Sequence, residues 1–443
     1  MKKILLAVLT ALVMLNSCTK HFEFNSRSLL DQQSSKLITD WIGVHIRLIK
    51  NTTGVTHPAF SRHFSYTGVA LYESLAGGDR NLRSLAPALN GTVQLPLAPA
   101  SNHIFHPASA NAAIAQMLRY FYAAKLVNTQ LIDSLEAAYQ HTYEAEVREN
   151  FNIEASVDYG KEIANAVIEW SKQDGASGAS IPYTPLGEGY WEPTPPAFAG
   201  AAVPGWGNNR TILKGSIANT EPAAPLNFSS HPGSPFYEMV KEVHEVSLGL
   251  TNEQKSIAGF WDDAPNGKLV SAFGHWFNIL RQILLKEGTP MMKAATAYLA
   301  LGVTMNESTI ACWKSKYQFH QVRPVTYIRK YMGDAAWSSY ISTPPHPEYL
   351  AAHATISSSA AYALESVFGK NYAFADHTYE SLGMGVRIYS SIGQAGTEAG
   401  LSRLYGGIHY RPSIEGGKIQ GIKVGENVKK ILEYSNSVVG KND

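Results

Sequence analysis

Only two cysteines, Cys18 and Cys312, occur in the 443 residues, which excludes a disulfide-stapled scaffold and a cysteine-built metal site. Net charge is scarce as well. Lysine and arginine exceed aspartate and glutamate by one, giving +1, and no basic run is interleaved with aromatics, so no nucleic-acid partner is expected. After residue 18 there is no apolar stretch long enough to span a bilayer. Internal repeats and low-complexity tracts are also missing, so a solenoid is not expected. What remains is a chain with 45% apolar residues, ordinary for a globular protein and long enough for one large domain or two intimate halves.

The N-terminus stands apart. Met1-Lys2-Lys3 followed by Ile4 to Leu15 is a charged start and an apolar core too short for an ordinary membrane span. It ends in Leu15-Asn16-Ser17-Cys18, which resembles a bacterial lipobox. On that resemblance residues 1–18 are a lipoprotein signal peptide ending at the lipidated Cys18. Thr19 follows in place of the aspartate that retains lipoproteins at the inner membrane, so an outer-membrane anchor is implied, with the protein facing the periplasm or the cell surface. A plain signal peptide with a chance cysteine is the alternative. Cys312 is then the last thiol, and within Ile310-Ala-Cys-Trp313 it reads as a small buried hydrophobe.

Apolar residues recur mostly at helical spacing. Helices are expected over 37–49, 59–76, 109–126, 128–150 and 157–172, then over 235–246, 252–261, 270–285, 292–317, 353–368, 374–404 and 414–432. The expected class is all-α, with an N-terminal bundle over 30–245 and a C-terminal bundle over 246–440. Between 175 and 235 the periodicity fails amid Gly, Pro and aromatics, as in Tyr190-Trp191-Glu-Pro193 and Pro204-Gly-Trp206-Gly207. Disordered segments avoid aromatics, so this stretch is expected to be an ordered wrap.

Three pieces near the C-terminus carry chemistry: Lys316-x6-Arg323-Pro324, Ala351-Ala352-His353, and Ser402-Arg403-x5-His409. Together they supply one lysine, two arginines and two histidines. Guanidinium forks and an ammonium suit a tetrahedral oxyanion. One imidazole can move protons while the other attacks or coordinates the central atom. His353 falls where a helix begins, at the end that favours anions. A solvated face for Lys316 and Arg323, or a surface histidine at 353 or 409, is the bland alternative for each piece alone.

This constellation resembles the vanadium-dependent haloperoxidases and the acid phosphatases that share their site, the type-2 phosphatidic acid phosphatase superfamily. The resemblance implies a pair of helical bundles with the active site in the C-terminal one. It implies vanadate held on His409, caged by Lys316, Arg323 and Arg403, with His353 managing protons and Lys316 polarising peroxide. The partners implied are hydrogen peroxide and a halide, with phosphate as a competing anion.

In the family a Ser-Gly pair precedes the histidine of the middle piece. Here those oxyanion-binding positions are Ala351 and Ala352, so one hydrogen bond of roughly 0.5–1.5 kcal/mol is lost. Trp313 stands where the family places a tryptophan beside the halide, although an ordinary core tryptophan fits there too. His346 occupies the position associated with bromide or iodide rather than chloride, and a plain loop histidine is its alternative. Asp263, in Phe260-Trp261-Asp262-Asp263, is the expected carboxylate partner of His353, with a helix cap as its other possible role. Two competing functions use the same residues: an acid phosphatase forming a phosphohistidine on His409, and a degenerate oxyanion-binding surface lipoprotein.

Overall fold

The computed structural model describes residue 30 and residues 33–437, leaving out 79–81, 100–102, 124–128, 148–149 and 265–266. The expected signal peptide and Cys18 lie outside the described residues.

Helices α1 (Lys36–Asn51), α2 (His57–Ala76), α3 (His106–Tyr122), α4 (Gln130–Glu146) and α5 (Ile153–Ser171) follow in order. On α1 the stripe Leu37, Ile38, Trp41, Ile42, Leu48 and Ile49 is buried, and each such side chain contributes about 1.5–3 kcal/mol by leaving water. Only Ile132 and Tyr143 are buried on α4, which covers the outside of this bundle. The second half carries α6 (Pro235–Leu248), α7 (Asn252–Phe260), α8 (Ala272–Glu287), α9 (Met291–Phe319), α10 (Pro324–Tyr331), α11 (Ala352–Phe368), α12 (Ile392–Tyr405) and α13 (Arg411–Ser437).

The spine is α9. It packs on α2 from the first half and on α11 and α13 from the second. At 1.5 Å per residue it is about 43 Å long. Since α8 packs on α1, the two halves share one continuous core running from Leu30 to Val428. Small residues let the site helices approach closely. A Cβ on Gly421 of α13 would lie 2.2 Å from the carbonyl oxygen of Thr355 on α11.

Residues 172–234 contain no α-helix, only 3₁₀ turns at Ala176–Gly178 and Pro204–Asn208. Buried Trp191 and Trp206 hold this wrap. The buried carboxyl of Glu307 on α9 accepts from the Ile212 amide at 2.5 Å and the Ser216 hydroxyl at 2.8 Å. Gly207 lies so close to α9 that a Cβ there would meet the Lys314 nitrogen at 2.4 Å.

The sequence expectation fails at two places. Residues 374–404 are not one helix: β1 (Phe374–Asp376) and β2 (Arg387–Tyr389) form a small antiparallel hairpin before α12. Gly383 and Gly385, both at φ +77°, supply the turn conformation that a helix cannot use. The short helix α10 was not expected either. Pro324 at its first turn is pre-set for helix and has no N–H to leave unpaired.

Candidate active site

Lys316 and Arg323 do not share a helix. At the end of α9, His320 adopts a left-handed φ of 51° and the chain reverses. Arg323 thereby becomes the residue before α10, and both cations converge on the 346–350 loop. Lys316 Nζ donates to the carbonyls of Pro347 at 2.8 Å, Glu348 at 3.0 Å and Leu350. An ammonium has three N–H groups, so all of them hold the loop leading into α11. Burial, joined by the charge of Arg323, pulls this lysine down to about 7.

Arg323 is the hub. Its Nε donates to the His346 carbonyl at 2.9 Å and its Nη1 to the Ile408 carbonyl at 2.8 Å. Nη1 also lies 3.2 Å from His409 Nε2, and Nη2 lies 3.0 Å from His346 Nδ1. A guanidinium only donates, so both imidazole nitrogens present lone pairs to it. The Pro347 carbonyl lies 3.2 Å from the same Nδ1, but the shorter contact to the always-charged guanidinium puts the lone pair there, so His346 is neutral with its proton on Nε2, consistent with burial holding it well below the usual histidine range. Its ring centroid lies 5.1 Å from that of Trp313, whose indole N–H reaches the Ala202 carbonyl of the wrap at 3.4 Å.

His409 follows α12 through Gly406 and Gly407, the latter at φ +74°. Its Nδ1–H donates to Glu348 Oε1 at 2.8 Å, and the same oxygen accepts the Tyr410 amide at 3.0 Å. Glu348 thus fixes the tautomer that leaves Nε2 free to coordinate or attack. Burial raises this carboxyl to about 7, against the pull of the Tyr410 amide, Arg323 and Lys316. Glu348→Ala frees the ring, and oxyanion affinity is expected to fall about 10–100-fold. Titration calorimetry checks this, and unchanged affinity would remove Glu348 from the site.

Arg403 sits in the last turn of α12. Its Nε donates to Ser402 Oγ at 2.9 Å and its Nη2 to the Trp261 carbonyl. Arg323 and Arg403 are 0% and 2% exposed, yet neither forms an ion pair with a carboxylate among the described residues. Burial draws each guanidinium down to about 10. Carboxylates act on them only through space, Glu348 on Arg323 and Asp263 with Asp262 on Arg403; buried charge without a directly bonded partner is costly, so the arrangement favours an anion. The start of α11 offers more. The Ala351 amide is engaged by the Ser413 carbonyl at 3.3 Å, and its methyl packs in an apolar cluster with Val322 and Leu404. Ala352 and His353 occupy the first helical positions, where backbone N–H groups have no helical partner. Among the described residues no cluster of three or more His, Cys, Asp or Glu side chains suits a cation.

His353 Nε2 lies 3.5 Å from Asp263 Oδ2, too far for an ordinary hydrogen bond, and both atoms are buried without a bonded partner. Burial, joined by Arg403, lowers His353 to about 4. Asp263 is not a helix cap, because Ser271 caps α8. Its Oδ1 accepts from His275 Nδ1 at 2.8 Å and from the Tyr379 hydroxyl at 2.8 Å. His275 Nε2 in turn donates to Asp376 Oδ2 at 2.9 Å. Burial opposes charge on His275, but Asp263 and Asp376 outweigh it and raise the imidazole to about 10. Burial would likewise raise Asp263, but the His275 charge and hydrogen bond hold it below the usual carboxylate range.

These shifts set a pH window. An unfolded histidine titrates near about 6.5, so His275 adds its full stabilisation below that pH and loses it as pH rises toward about 10. Asp376→Asn removes one of the two charges holding the proton. The alkaline fall in the unfolding midpoint is expected to begin at lower pH in that variant. Parallel midpoint curves for the two proteins between pH about 6 and 10 would contradict a charged His275.

The structure therefore brings Arg323, His346, Arg403 and His409 into one neighbourhood, with Lys316 close behind on the loop carbonyls, Trp313 beside His346 and Asp263 beside His353; Ala351, expected among the anion-binding residues, instead has its amide on the Ser413 carbonyl and its methyl in an apolar cluster, while Ala352 opens α11. Sequence reasoning assigned no role to Glu348, His275, Asp376 or Tyr379. It also missed His57, which opens α2, is exposed, and lies near enough to Asp263, His346 and His353 to interact with them electrostatically.

Residues 296–437 match the family described as the VCPO second helical-bundle domain. The fold resembles that of the first bacterial vanadium-dependent iodoperoxidase to be crystallised, at 31% identity and a TM-score of 0.82, over 90% of this chain and 96% of that one. It also resembles a holo-type bacterial vanadium-dependent chloroperoxidase, at 17% identity and a TM-score of 0.67, over 87% of this chain and 94% of that one. The apo-type chloroperoxidase structure gives 17% identity and a TM-score of 0.65. No curated protein matches the chain significantly.

Proposed function

Because this chain belongs to the vanadium-dependent haloperoxidase family, we propose that it oxidises iodide or bromide with hydrogen peroxide to the hypohalous acid. The observation that carries this is the buried guanidinium of Arg323 3.2 Å from His409 Nε2, with the buried guanidinium of Arg403 near enough to act on the same imidazole electrostatically. That donor set fits vanadate. His409 Nε2 would coordinate it, Arg323 and Arg403 would balance its charge, and the N–H groups opening α11 would take its oxygens. When bound, vanadate acts as the Lewis acid that makes peroxide reactive toward halide.

The chain's own residues do the rest. His353, drawn down to about 4, is neutral near neutral pH and can take a proton from entering peroxide. Asp263, kept ionised by His275, then stabilises the imidazolium. Lys316 fixes the loop through its carbonyl bonds, and its remaining role is positive charge at short range. Trp313 and neutral His346 offer an indole face and an N–H donor. Iodide and bromide lose less hydration than chloride on such a surface, which supports the heavier halides; so does the kinship with an iodoperoxidase. The outer-membrane lipid anchor on Cys18, read from the sequence, completes the proposal.

The test is oxidation of iodide and bromide by the vanadate-free protein, with and without added orthovanadate. Peroxide-dependent oxidation that appears with orthovanadate and is competed by phosphate supports the proposal. No oxidation of either halide from mildly acidic to neutral pH, beside clear phosphate monoester hydrolysis, moves the assignment to an acid phosphatase.

A further inference from the structure

Oxidation of iodide by peroxide consumes a proton: one peroxide, one iodide and one proton become hypoiodous acid and water. The O–O bond breaks, an O–I bond forms, and two electrons pass from iodide to peroxide. The departing hydroxide becomes water by taking the proton. Any proton that His353 removes from peroxide returns to the products, so one more must arrive from solvent at each turnover. Arg403, Asp263 and His57 all act on His353 electrostatically. A guanidinium keeps its protons, and Asp263 is held ionised by His275. Elsewhere in the site Lys316 is bound to loop carbonyls, His409 to Glu348 and His346 to Arg323. That leaves His57.

His57 has what a proton carrier needs. It opens α2, with Pro58 setting the first turn, and it is exposed. Its ring makes no hydrogen bond among the described residues, so it is free to turn between staggered rotamers. Burial still draws the imidazole below the usual histidine range, against the pull of Asp263. A residue that is both exposed and desolvated stands in a recess rather than on an open face. The recess adjoins the site, since His57 acts on His346 as well as on His353. Its chain neighbours agree with this placement. Thr56 and Ala59 meet Val203 of the wrap across one cavity. The adjacent Ala202 accepts from the Trp313 indole at 3.4 Å and the Tyr317 hydroxyl at 2.8 Å, and its amide donates to the Pro345 carbonyl at 2.8 Å. Histidine is also the side chain suited to moving protons at mildly acidic to neutral pH.

We propose that His57 is the proton entry of the site, taking a proton from solvent and passing it through intervening water to His353. It acts through His353 rather than on peroxide itself. The groups that set its titration or feel it are Asp263, His346 and His353. The N-terminal half thereby supplies one working side chain to a site otherwise built from the C-terminal half. This role rests on the haloperoxidase reading.

The test starts with the vanadate-free protein. NMR of isotope-labelled histidine, with the His57 signal assigned by its loss in His57→Ala, should show reversible titration with a midpoint below about 6.5. Orthovanadate affinity, read by calorimetry, should be the same in wild type and His57→Ala. With orthovanadate present, iodide turnover in the variant should fall about 100-fold, while KM for iodide stays unchanged. Pyridinium, a small acid whose ring resists iodination, should restore turnover in the variant and leave wild type unmoved. A His57 ring that keeps one protonation state from mildly acidic to neutral pH overturns the proposal. So does full turnover in the variant, a loss that pyridinium fails to repair, or weakened vanadate binding, which would place His57 in the anion cage. Each of these outcomes leaves the haloperoxidase reading standing. A wild type that oxidises no halide with orthovanadate removes that reading and this proposal with it.

Discussion

His409→Ala is expected to abolish vanadate retention and drive halide oxidation below detection. The imidazole is the one side chain at the centre of the site whose lone pair is held in place by a carboxylate on the opposite ring nitrogen, Glu348 at 2.8 Å. Arginine only donates, so neither Arg323 nor Arg403 can replace it as a ligand. The cost to the fold should be modest, about 1–3 kcal/mol, because Glu348 keeps the Tyr410 amide. His353→Ala separates the two histidines. It should retain vanadate yet turn over slowly, with a changed pH profile, because His353 faces Asp263 and the proposed function gives it the protons. Vanadium content after gel filtration, compared across both variants, reads the difference. Equal loss of vanadium in the two would show that the roles are misassigned.

Arg403→Met should separate binding from stability. Arg403 is buried and makes two polar contacts, to Ser402 Oγ and the Trp261 carbonyl. Replacing a buried charge by an apolar chain of similar size is often neutral or stabilising. The vanadate-free variant should therefore melt within about 1 kcal/mol of wild type, or above it. Oxyanion affinity, in contrast, should fall by roughly 2–3 kcal/mol, about 30–150-fold, because one charge-assisted contact is gone. Paired melting curves and vanadate titrations check this. A large drop in stability with affinity intact would make Arg403 a structural residue.

Much of the fold and of the site is legible in the sequence. The helical stripe of α1 follows from spacing, since burial of one face writes itself into the sequence. The three-part motif around Lys316, Arg323, His353, Arg403 and His409 was readable because cations that must meet an anion cannot be exchanged for apolar residues. The hairpin at 374–389 was not readable. Its strands are three residues each, too short to show alternation, and apolar residues on either side continue a helical rhythm. Glu348 and Asp376 were hidden for another reason. An acidic residue in a loop is ordinarily solvated, and only the fold shows that both are fully buried against imidazoles. Asp263 could be guessed as the partner of His353, but its second partner, His275, lies 12 positions away on a helix, and only the fold brings the two together.

The central claim is that buried positive charge around His409 Nε2 is built to receive a tetrahedral oxyanion. Calorimetric titration of the vanadate-free protein with orthovanadate, alone and in the presence of phosphate, tests it most directly. The account predicts saturable binding of a single vanadate per chain, weakened by phosphate and abolished in His409→Ala. Failure of the wild type to bind vanadate, or binding that survives unchanged in both His409→Ala and Arg403→Met, would contradict it.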